Sequence, residues 1–108
     1  MPTPTLRATI ALTLSALLTA CLYTSGHKVF LHNMQFEVGK SADDPYSYRN
    51  LYRRRLLSAK DLPNGNLEEE FPDGRRERCR VFFEIDKVAR KIVSWRYEGT
   101  EDDCATTP

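Results

Sequence analysis

The stretch 79-CRVFFEIDKVARKIVSWRY-97 decides the fold. In its first half Val81, Phe83 and Ile85 alternate with Arg80, Phe82, Glu84 and Asp86. In its second half Val93, Trp95 and Tyr97 alternate with Ile92, Ser94, Arg96 and Glu98. A period of two with one apolar row describes a strand that buries one face. The link "DKVAR" is short and polar, so the two strands pair as an antiparallel hairpin. Val81, Phe83, Ile85, Val93, Trp95 and Tyr97 form the expected inward row. Gly99 ends the second strand.

Upstream, "LLSAKDLPNGNLEEEF" (56–71) has Asn64-Gly65 at its centre. That dipeptide suits a type I′ hairpin turn, because both residues tolerate positive φ. It predicts strands over 56–62 and 66–71. Glu68, Glu69 and Glu70 are poor strand formers, so the second of these reads as solvated or as an edge. "FPDGRRE" (71–77) reads as a loop by its proline and glycine.

Further upstream the period lengthens. In "VFLHNMQFEV" (29–38), Val29, Phe30, Met34 and Val38 recur about a helical turn apart, and Gly39 supplies a stop. In "KSADDPYSYRNLYRRR" (40–55), Ser41 and two acids resemble a helix start, with Pro45 close behind. Tyr48, Leu51 and Tyr52 share one face, which predicts a second short helix or helical turn. The expected class is α+β, with two N-terminal helical segments packed on a three- to four-stranded antiparallel sheet.

The first twenty residues are of another kind. Arg7 precedes an apolar run over 8–18, and small residues follow it. This is the layout of a secretory signal peptide, and the run is well short of the ~20 residues that span a bilayer. Leu18-Thr19-Ala20-Cys21 resembles the lipobox of bacterial lipoproteins: a leucine, two small residues, then the cysteine that is modified. The resemblance implies a diacylglycerol on the Cys21 thiol, cleavage before Cys21 and acylation of the new amino group. Two or more acyl chains give stable anchoring where one does not. The alternative is a cleaved export signal with Cys21 as a plain thiol. Leu22, not Asp, follows the cysteine, which in enteric-type bacteria implies the outer membrane, facing the periplasm. The expected layout is a signal peptide over 1–20, a tether over 21–28 and a single domain over 29–108.

With lipid on Cys21, Cys79 and Cys104 remain. An even pair in a small exported domain reads as a disulfide. The tail 100–108 must then turn back so that Cys104 reaches the start of the 79–86 strand.

Taken together, the lipobox, "VGKSADD", "LPNGNLEEEF" and "CRVFFEIDKVARKIVSWRYEGTEDDC" resemble small uncharacterised lipoproteins of Gram-negative bacteria. The order of helices then strands behind an anchor is also similar in plan to outer-membrane assembly lipoproteins of the SmpA/BamE type. These resemblances imply an envelope location and no particular chemistry.

The residues themselves point away from catalysis. His27 and His32 are five apart, off the spacing at which a helix aims two ligands together, so no metal or other cofactor is expected. Asp43-Asp44 and Asp102-Asp103 read as caps or solvated pairs. "VGKS" lacks the upstream glycine of a phosphate loop. Arg49, Arg53, Arg54 and Arg55 interleave with Tyr48 and Tyr52. Behind an export signal such a cluster meets no nucleic acid. Its candidate partners are anionic lipid head groups or an acidic envelope protein. The competing reading pairs these arginines with Glu68–Glu70. The expected function is a non-enzymatic, lipid-anchored binding or scaffolding module at the outer membrane, held to the membrane through lipid on Cys21. The rival is a periplasmic enzyme or inhibitor module.

Overall fold

The computed structural model describes residues 25–74 and 76–106. The signal segment and Cys21 lie outside the described residues. Four strands, β1 (Ser58–Asp61), β2 (Leu67–Asp73), β3 (Cys79–Asp86) and β4 (Lys91–Glu98), form one antiparallel sheet in sequence order. One helix, α1 (Gly26–Gln35), and a single helical turn, α2 (Tyr48–Leu51), precede them. A 3₁₀ turn over Arg53–Arg55 leads into β1.

The helix α1 begins three residues before the expected start. Ser25 is its N-cap, and its hydroxyl accepts from the Lys28 amide. Residues 26–28, expected in a tether, are therefore helical. The helix also ends early. Beyond Phe36 the bonds tighten to Glu37 N–H to Met34 O and Val38 N–H to Gln35 O. The Gly39 amide then leaves the helix altogether and donates to Ile92 O at 2.8 Å. Lys40 O accepts from Ile92, and Ala42 donates to Arg90 O, so 39–42 lines the outer edge of β4. Ser41 is thus part of a bridge to Lys91 and not a helix cap. The cap of α2 is Ser47, whose hydroxyl accepts from Asn50.

The turn between β1 and β2 is not type I′. Gly65 has φ +87°, but Asn64 keeps a negative φ. Gly65 N–H donates to Leu62 O and Leu62 N–H donates to Asn66 O. Pro63 presets the first central position, so the loop is a three-residue turn closed by a left-handed glycine. β2 is an inner strand, paired on both sides, and the exposed edge is β1. β2 also runs on past Phe71 through Pro72 and Asp73, which were expected in a loop. Pro72 is tolerated because the pairing with β1 ends at Glu70, leaving no ladder bond for it to break.

β3 behaves as its alternation predicts: Val81, Phe83 and Ile85 are buried. β4 departs at one residue. Glu84 pairs with Ser94 but Ile85 pairs with Ile92, so Val93 is an extra residue in a bulge. The bulge switches parity along the strand. Ile92 is fully buried in place of Val93, while Trp95 and Tyr97 keep the inward row. Phe30 of α1 packs edge-on to Trp95 and Tyr97, and Tyr48 of α2 packs on Phe71 and Phe83. Both helical segments thus cover one face of the sheet. The opposite face carries a lattice of charge: Glu68 bonds Arg96, Arg96 bonds Glu98, and Arg80 reaches Glu70. The Arg96 guanidinium lies 3.7 Å over the Phe82 ring and shields it from water.

Candidate functional site

The arginine cluster divides at Tyr52. Arg49 sits on α2 with its side chain under the sheet-facing side, 6% exposed, where it forms an ion pair with Glu69 of β2, itself 4% exposed. Its Nη1 donates to Ala42 O at 2.8 Å. Asn50 donates to the same carbonyl and to Asp44 O. Arg49 is committed to the interior and offers no charge to a partner. One of the four arginines therefore follows the pairing with the acidic strand, through a glutamate that is buried. Charge pattern alone does not reveal which side a glutamate of an inner strand faces.

Arg53, Arg54 and Arg55 lie on the 3₁₀ turn, all exposed. Arg55 pairs with Glu77 in the β2–β3 loop. Among the described residues Arg53 and Arg54 have no carboxylate partner. Leu51, Tyr52 and Leu57 beside them are 61%, 41% and 50% exposed.

Next to α2, the Tyr48 hydroxyl donates to Asp73 Oδ2 at 2.9 Å. Burial, then the neighbouring Asp73 carboxylate, pushes the phenol well above the ordinary tyrosine range. It stays a protonated donor, a strut between α2 and the end of β2. The expected face of Tyr48, Leu51 and Tyr52 holds only for Tyr48: Leu51 and Tyr52 are exposed, and Arg49 is the buried residue of α2. The bond to Asp73 was not legible in the sequence.

Cys79 and Cys104 form the expected disulfide, with Cα atoms 5.1 Å apart and both residues fully buried. The bridge carries the tail back across the end of the sheet. Cys104 O is within 2.7 Å of His27 Nδ1, and Thr106 N–H donates to Gly26 O at 2.9 Å. His27 also meets the Tyr97 hydroxyl through Nε2. His27 is thus occupied in joining α1 to the tail. His32 is exposed and rests near Phe36. Among the described residues no group of three or more His, Cys, Asp or Glu side chains is placed to hold a metal ion. Among them, too, no helix is long and apolar enough to cross a membrane.

Asp43 binds Arg90 across the β4 edge, and that hydrogen bond lowers its pKa. Asp102 is exposed, and the Asp103 amide donates to Thr100 Oγ1 in a turn after β4. Both acidic pairs are structural or solvated.

Comparison of the chain with protein-family models, with curated proteins and with solved structures finds no match. The functional reading therefore stands on the residues alone.

Proposed function

We propose that the chain is a lipid-anchored envelope protein of the small Gram-negative lipoprotein kind. In this reading Cys21 carries the lipid, and the folded domain is a non-enzymatic binding or scaffolding module at the outer membrane, facing the periplasm. The observation that carries it is the lipobox-like Leu18-Thr19-Ala20-Cys21 directly ahead of the fold. The N-cap Ser25 follows the lipobox cysteine by four residues, so a chain cut at Cys21 leaves a very short lead before α1. The buried Cys79–Cys104 bridge supports an oxidising compartment. A binding rather than catalytic role is supported by how the polar groups are used. Arg49, Glu69, His27, Tyr48 and Asp73 are each engaged in holding elements together.

The test is the intact mass of protein extracted from membranes, with alkylation before and after reduction. The expected mass is that of residues 21–108 plus acyl groups, with cysteine alkylation only after reduction. An unacylated or uncleaved chain would remove the anchor and with it the outer-membrane location.

A further inference from the structure

The contacts place the start of α1 and the arginine turn at the same end of the sheet. Gly26 meets Thr106, and His27 meets Cys104. Cys104 is bonded to Cys79 at the start of β3. The Gly74 backbone lies against the Asp103 carbonyl. Glu77, in the same β2–β3 loop, holds Arg55. This end therefore presents Arg53, Arg54, Arg55, Arg76 and Arg78, all exposed, together with Lys28 on the first turn of α1. The hairpin tips at Gly65 and Val88 are at the other end.

We propose that the Arg53–Arg55 turn is a seat on an anionic lipid surface, with Tyr52 and Leu57 entering the head-group layer beside it. The proposal deepens the anchored reading and rests on it for the orientation of the domain. Ser25 lies four positions after Cys21, and an extended chain spans about 3.5 Å per position, so the lead is about 14 Å long at most. A domain on so short a lead meets the bilayer with the end at which the lead enters. Exposed arginines flanked by aromatic and leucine side chains suit that boundary. The guanidinium binds lipid phosphate in a fork while the apolar side chains leave water. The end is polarised, since Glu101 and Asp102 are exposed on the turn after β4. The arginine turn precedes β1, at the opposite edge of the sheet, so the β1 side of this end is the side that seats.

The test uses the full chain as extracted from membranes. It is reconstituted into vesicles of phosphatidylcholine alone, or of phosphatidylcholine and phosphatidylserine in equal parts. Amide hydrogen exchange over residues 51–57 is the readout. A basic residue near an anionic surface contributes about fivefold to association, so exchange there slows by about that factor or more on the mixed vesicles only. High salt reverses the slowing, as does Arg53→Gln with Arg54→Gln. Both substitutions are at exposed positions outside the core. Equal exchange on the two vesicle types, with protein attached to both, overturns the seat and leaves the anchor standing. Attachment to mixed vesicles alone, dependent on Arg53 and Arg54, upholds the seat and removes the anchor. Attachment to neither overturns both.

Discussion

Arg49 and Glu69 show how differently neighbouring charges of one sequence are used. The pair is buried between α2 and β2, and each partner is the other's compensation for lost water. Removing one partner leaves an uncompensated buried charge, which costs about 3–5 kcal/mol. Glu69→Leu and Arg49→Met should each lose that much in denaturant titrations followed by Trp95 fluorescence. The double replacement Arg49→Met with Glu69→Leu should lose clearly less than the two singles combined, because no lone charge remains. Glu68, one residue away, points to the other face. Its hydrogen bond to Arg96 holds its pKa below the ordinary 4.5. A depressed carboxylate contributes stability above its unfolded value and loses it as pH falls through its folded value. Wild type should therefore melt higher than Glu68→Gln above pH 4.5. The gap should close on acidification below that value, as thermal midpoints in a pH series will show.

At the level of elements, two glycines of similar backbone angle do different work. Gly65 has φ +87° with open space around it, whereas Gly74 has φ +83° and its missing Cβ would overlap the Asp103 carbonyl oxygen. Gly65→Ala should cost about 1–2 kcal/mol, the left-handed penalty alone. Gly74→Ala should cost more, because the tail must also move, and amide exchange at 100–106 should rise only in that variant. The strands β3 and β4 were readable in advance because alternation reports a half-buried face directly. The bulge at Val93 was not, since one extra residue leaves the local pattern unchanged while reversing which side is inward. β2 reads as solvated or as an edge because three glutamates in a row look solvated, yet it is paired on both sides. Their alternation only becomes visible when Arg49 is placed under Glu69. The start of α1 was hidden by Gly26, a poor helix former that is needed there: a Cβ would come within 2.7 Å of Thr106 O.

Across the whole molecule, the tail and its disulfide tie β3 to α1. The bridge spans 25 residues, and closing a loop of that size stabilises by roughly 3 kcal/mol in the chain-entropy account. Cys79→Ala with Cys104→Ala should lower stability by about that amount. It should also loosen α1 more than β2, which is paired on both sides, and hydrogen exchange will resolve the two. The existence of this bridge was readable from the cysteine count, whereas its coupling to His27 was not, because a histidine near the start of a chain gives no hint of what folds back on it. The inward turn of Arg49 was equally hidden, so only the remainder of the arginine cluster is available to a partner. The meeting of Gly26 with Thr106 bears on how the protein is handled at the bench. Both chain ends leave the described fold side by side. A reporter fused after Thr106 therefore sits beside the point where the chain enters α1. An epitope inserted at Asn64 or Val88 projects from the far end and leaves that junction clear.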